Sequence, residues 1–181
     1  MSTLIWVVVV VVAVVALAAV GYLVLQQQRR SRLRARFGPE YERLMAEHDN
    51  RRDAEQELLA REQRHSELDI RPLPEESRDS YATRWTEVQE RFVDAPGFAV
   101  SEADQLVAAV MAERGYPTEN FEQRVSDLSV GHAATLDHYR AAHEISGRAA
   151  RKEASTEDLR QAMVHYRALF EELLQETTRG R

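Results

Sequence analysis

The sequence predicts an all-α protein with an N-terminal transmembrane helix, a charged helical stalk and a C-terminal helical bundle. Three observations carry that reading. From Leu4 to Leu25 there are 22 residues without a charged side chain. Beyond them, apolar residues recur at the three- and four-residue spacing of amphipathic helices, and no alternating, β-branched stretch marks a sheet. Glycines and prolines fall between these periodic segments, as at Gly38-Pro39, Pro72, Pro74, Pro96-Gly97, Gly115 and Pro117, and only Gly21 lies inside the apolar run.

Residues 1–3 form a short extracytoplasmic tail and residues 4–25 the span. As helix, 22 residues cover about 33 Å at about 1.5 Å each, which matches a hydrocarbon core of about 30 Å. A cleaved export signal would carry a positive n-region, an apolar run of about 7–15 residues and a small-residue cleavage site. Here "MST" has no charged side chain, and "ALA" at Ala16 to Ala18 sits inside the apolar run. The span holds no ionisable residue and no pair of small residues at i, i+4, so it reads as a passive tether.

Residues 26–38 are a basic juxtamembrane collar. Arg29, Arg30, Arg32, Arg34 and Arg36 all lie on the C-terminal side of the span. The positive-inside rule therefore places the protein in the plasma membrane as a single-pass chain with its N-terminus outside and its C-terminal domain cytoplasmic. If the helix continues, Arg29, Arg32 and Arg36 share one flank and Arg30 and Arg34 the other, with Leu33 and Phe37 between them. These seven residues are the expected membrane-interface set, a stop-transfer flank rather than a dedicated lipid sensor. Each arginine near anionic headgroups contributes about 1 kcal/mol. Gly38 closes this helix and Pro39 opens the next, where its missing N–H costs little.

Residues 39–73 read as a helical stalk or linker. They are dense in Glu, Arg and Gln, with a thin apolar stripe of Tyr41, Leu44, Met45, Leu58, Leu59 and Leu68 interrupted around His48 and Glu55. The interruption argues against a strong coiled coil and leaves open a weak one or packing back onto the domain. Residues 74–181 form the bundle domain. Its first helix aligns Tyr81, Trp85, Val88 and Phe92, and its second, from about Ser101, carries Ala103, Leu106, Val107, Val110 and Met111 up to Gly115. A short segment with Phe121, Val125 and Leu128 follows Thr118, read as its N-cap, and a helix after Gly131 carries Leu136, Tyr139 and Ile145. The last helix opens on Ser155 and Asp158 at capping-box-like spacing, with an apolar face of Leu159, Met163, Tyr166, Phe170, Leu173 and Leu174. "HYRA" occurs at His138 to Ala141 and at His165 to Ala168. The flanks do not otherwise agree, so the sequence favours coincidence over a duplicated hairpin.

The collar takes five of the 24 basic residues and no acid, leaving 24 − 5 = 19 basic against 30 acidic residues, a formal charge of −11 from Phe37 onward. An acidic body repels phosphate backbones, so no nucleic-acid partner is expected. The absence of cysteine excludes disulfides and thiolate chemistry. No two of the six histidines stand at i+3 or i+4, and the single Glu62-x-x-His65 element lacks the second one a di-iron bundle needs, so no metal site is expected. No phosphate-cradling loop or hydrolase motif is present, so no catalytic residue and no cofactor is assigned and an enzyme is disfavoured.

"RRSRLRARFGPEYERL", "GYPTENFEQRVSDLSV" and "STEDLRQAMVHYRALFEELL" together resemble a family of uncharacterised, membrane-anchored helical proteins of actinobacteria. The resemblance covers most of the chain and implies the architecture and the source. It implies no activity. The functional expectation is a membrane-tethered interaction or scaffold module whose partners are the lipid bilayer and a protein at the membrane. The alternatives are a membrane-associated enzyme with a polar pocket in the bundle, or an anchored or secreted extracytoplasmic domain.

Overall fold

The computed structural model describes residues 2–175, and every regular element among them is an α-helix. These are α1 (Ser2–Phe37), α2 (Pro39–Glu47), α3 (Arg51–Glu67), α4 (Glu75–Phe92), α5 (Pro96–Arg114), α6 (Phe121–Gly131), α7 (Leu136–Ala150) and α8 (Thr156–Gln175). The chain divides into two compact units, one ending at Glu55 and one starting at Gln56.

In the first unit, α1 continues without a break from the apolar run through the collar. Its stretch Trp6–Phe37 contains an 18-residue window with a mean hydropathy of 3.1, none of it buried, so this helix is long and apolar enough to cross a membrane. Gly38 then adopts φ 48°, a left-handed conformation that suits glycine, and Pro39 occupies the first turn of α2. Leu33, Phe37, Tyr41, Leu44 and Ala54 are buried. The expected stalk is therefore two helices, parted at His48–Asn50. The break follows from side-chain chemistry, because the Asn50 Oδ1 accepts the Arg52 backbone N–H at 3.0 Å and starts α3 anew.

The second unit is built around α5, which packs on α4, α7 and α8, while α7 also packs on α8 and α6. Its core runs from Tyr81, Trp85 and Val88 through Leu106, Val107, Val110 and Met111 to Leu128, Leu136, Tyr139 and Ile145, and on to Leu159, Tyr166, Phe170 and Leu173. Leu68, Ile70 and Leu73 pack against it as well, so the C-terminal part of the segment expected as stalk belongs to this unit. Burying such side chains contributes about 1.5–3 kcal/mol each, which makes the apolar stripes of α4, α5, α7 and α8 the source of the fold. Trp85 stacks on Phe170 with ring centroids 4.6 Å apart.

Helix ends refine the sequence reading. α5 begins at Pro96, ahead of the expected Ser101, because proline suits the first turn and Gly97 is carried along inside it. α6 is capped by Asn120, whose side chain accepts the Gln123 N–H at 2.8 Å, and not by Thr118. Asn120 lies adjacent to the first helical residue, where a side-chain acceptor reaches the free N–H groups. The Ser155–Asp158 capping box forms at α8, with Asp158 N–H donating to Ser155 Oγ at 3.1 Å and Ser155 N–H to Asp158 Oδ2 at 2.8 Å. Gly115 ends α5 at φ 96°, and a Cβ there would meet the Asp69 carbonyl oxygen at 2.3 Å. That close approach lets Arg71 N–H donate to Arg114 O at 2.9 Å, seating the loop before α4 on the end of α5.

Candidate functional site

The most open cavity of the first unit lies where α1 leaves its apolar stretch. Helical spacing brings Tyr22, Leu25 and Arg29 along one side of α1, with Arg30 beside them. Opposite stands the first turn of α3, which the Asn50 cap fixes and which carries Arg51 and Arg52. Between them is a cleft of about 630 Å³ lined by Tyr22, Leu25 and Gln26, by these four arginines, and by Asn50 and Glu55. An adjoining cavity of about 250 Å³ is bordered by Arg30, Arg34, Tyr41 and Arg51.

Glu55 is the one acid lining the larger cleft, and it is engaged from two sides. Arg30 Nε stands 3.3 Å from its Oε1, and the Tyr41 hydroxyl donates to the same oxygen at 3.3 Å. Burial, and then the Glu55 charge, raise the Tyr41 hydroxyl pKa above its ordinary value, so it stays a donor. Among the described residues no carboxylate lies in ion-pair range of Arg29, Arg51 or Arg52. Four guanidinium groups against one carboxylate leave the cleft strongly cationic.

Of the seven residues expected at the membrane interface, Arg29 and Arg30 line this cleft and Arg34 the adjoining one. Arg34 also bonds Glu42, with Nε to Oε1 at 2.8 Å, and lies 5.6 Å over the Tyr41 ring. Arg32 and Arg36 are exposed elsewhere on α1, while Leu33 and Phe37 are buried at 1% and 0% exposure. Sequence reasoning missed Asn50, Arg51 and Arg52, because they sit inside a charge-rich segment read as stalk. The signal was "HDNRR", an Asn cap followed by two arginines.

The second unit holds its own polar cluster. The Tyr116 hydroxyl is 3.2 Å from His132 Nε2, and His132 Nδ1 is 2.9 Å from Glu172 Oε1. This acid–imidazole–hydroxyl order is that of a proton relay, but the His132 side chain is 0% exposed and Tyr116 is buried. The chain of bonds ties the end of α5, the end of α6 and α8 together. Arg114, also buried, adds a bond from Nη1 to Leu173 O at 3.1 Å. The two "HYRA" copies meet where α7 crosses α8: His138 and His165 approach Nδ1 to Nδ1 at 2.8 Å, and Tyr139 and Tyr166 form an edge contact at 6.3 Å. The Tyr166 hydroxyl donates to Asp104 at 3.1 Å. Burial lowers the pKa of His143, whose ring stacks on Phe121 at 3.7 Å, and burial followed by the His138 charge lowers that of His165. Among the described residues no three His, Asp or Glu side chains gather as metal ligands.

A shallow groove of about 210 Å³ separates α4 from α8, floored by Trp85, Phe92 and Met163 and edged by Val164 and Arg167. Neither family models, nor curated proteins, nor solved structures give a match to this chain.

Proposed function

We propose that this protein is a single-pass, membrane-tethered interaction module whose helical unit is held at the cytoplasmic face of the plasma membrane to meet a protein partner there. The observation that carries the reading is the unburied apolar surface of α1, where Trp6, Val7 to Val12, Val14, Val15, Leu17 and Leu23 to Leu25 are all exposed. Left in water, such a surface costs about 25 cal/mol per Å² of apolar area, and a lipid environment removes that cost. Lipid also favours the helical state itself. Valine is a mediocre helix former in water, whereas a bilayer leaves backbone N–H and C=O groups no partners but one another. The arginines that follow support the cytoplasmic orientation of the body.

The mechanism is positioning. A tether confines the helical unit to two dimensions and raises its effective concentration near partners in the same membrane. Because the chain lacks cysteine, single cysteines at Ser2 and Ser80 report orientation in intact cells through an impermeant thiol reagent. Labelling at Ser2 and protection at Ser80 until the cells are opened is the expected result. Labelling at Ser80 alone reverses the orientation, and an intact mass beginning near Ala18 replaces the tether with a cleaved signal. Co-purification in mild detergent from the native membrane then tests for a stoichiometric partner.

A further inference from the structure

We propose that the cleft between α1 and the first turn of α3 binds the phosphate of an anionic phospholipid headgroup. The inference deepens the tether reading and rests on it. Three features of the cleft point to this ligand. Its lining supplies Arg29, Arg51 and Arg52 from two separate helices, beside Arg30, which is engaged to Glu55, and guanidinium groups are the side chains whose fork of donors matches a phosphate. The single lining acid does not compete for the ligand, since Glu55 is held by Arg30 and Tyr41.

The third feature is depth. Leu25 ends the apolar run, and Arg29 follows four residues later, about 6 Å along the helix axis, where a headgroup phosphate follows the acyl region. Tyr22 and Leu25 extend the cleft wall toward that region, and both are exposed. A soluble phosphate has no use for an apolar lip, whereas a lipid places glycerol and the first methylenes against it. The cleft is thus amphipathic in the same order as the ligand. The collar alone provides unspecific attraction, and Arg51 and Arg52 convert one side of it into a site with walls.

The test uses the full-length chain purified in detergent, stripped of native lipid and titrated with dioctanoyl phosphatidylglycerol or dioctanoyl phosphatidylcholine, with bound lipid counted by native mass spectrometry. Phosphatidylglycerol is expected to bind at least about tenfold more tightly. The triple variant Arg29→Gln, Arg51→Gln, Arg52→Gln should lose that preference. Arg32→Gln with Arg36→Gln, which thins the same neck outside the cleft, should keep it within about twofold. Equal binding of the two lipids overturns the proposal, as does an equal loss in both variants. If inorganic phosphate displaces phosphatidylglycerol at comparable concentration, the lipid assignment falls. Carbonate extraction separates the two readings. A chain released from membranes by carbonate sinks the tether, whereas one that stays integral without headgroup preference sinks the cleft alone. Circular dichroism of the triple variant confirms that its helices persist.

Discussion

Two valine-bearing helices of this protein face opposite surroundings. In α1, Val7 to Val12, Val14 and Val15 are exposed on every side, while in α5 Val100, Val107 and Val110 are completely buried. The difference lies in what surrounds the valines in sequence. α5 interleaves them with Ser101, Glu102, Asp104 and Gln105, so one stripe is apolar and finds α4, α7 and α8. α1 has no polar face in that stretch, so no single neighbouring helix satisfies it. Apolar composition alone therefore does not define a core; its distribution around the helix does.

The largest effect that tests this contrast is loss of α8. In a soluble fragment from Gln56, truncation after Lys152 removes Leu159, Tyr166, Phe170 and Leu173 from the core and should abolish cooperative thermal unfolding, the whole of a stability of about 5–15 kcal/mol. A cooperative melt near the parent temperature would show instead that α8 is a docking helix laid on a finished bundle. α1 offers no matching test, because among its described residues Val7 to Val12, Val14 and Val15 are exposed.

A matched pair of smaller changes sharpens the comparison. Phe170→Ala, which removes the ring stacked on Trp85, should cost about 3–5 kcal/mol by denaturant titration. Val10→Ala in α1 should leave the melting of the second unit unchanged, since that valine is exposed. Starting the fragment at Pro74 in place of Gln56 discards Leu73, the partly buried Leu68 and Ile70, and the Arg71–Arg114 bond. That shorter fragment should still fold but be weaker by about 2–4 kcal/mol. Equal stability of the two fragments would return the boundary to Pro74.

The smallest effect is one of pH. His143 and His165 have folded-state pKa values lowered mainly by burial, so below about 6.5 the unfolded chain binds protons that the folded one resists. Stability should therefore fall as pH drops from 7 toward 5. Replacing both residues by Gln should flatten that slope. Glu113 and Asp158, whose carboxyl pKa values are lowered by hydrogen bonds, and Glu157, held at about 2 by Arg160, act only in a more acidic window. A slope that survives the double substitution would trace the sensitivity to other groups.

Much of the helical architecture was legible because it is written in periodicity and caps. The faces of α4, α5, α7 and α8 follow from spacing, and the Ser155 box and the Gly38-Pro39 break follow from backbone chemistry. What escaped were features that depend on distant chain. Leu33 and Phe37 alternate with arginines and read as an interface, yet their burial is a tertiary fact that no local pattern encodes. Arg51 and Arg52 joined Arg29 and Arg30 across about twenty residues, and an arginine in a charge-rich run carries no mark of its eventual neighbour. The Tyr116–His132–Glu172 chain was invisible for the same reason, since its members lie on three separate segments.

The contact of Gly115 with Asp69 has a consequence for what position 115 can hold. It joins positions 115 − 69 = 46 residues apart, yet it is made by backbone atoms and buries no side chain of either residue. The side chains of the same loop carry the apolar gain, since Leu68, Ile70 and Leu73 pack on the core of the second unit, and the backbone seam fixes where that loop meets the end of α5. Substitution of Gly115 by Ala should lower the melting temperature of the second unit, because the added Cβ meets the Asp69 carbonyl oxygen and the backbone there holds a positive φ. The seam between that loop and α5 thus leaves no room for a side chain at position 115.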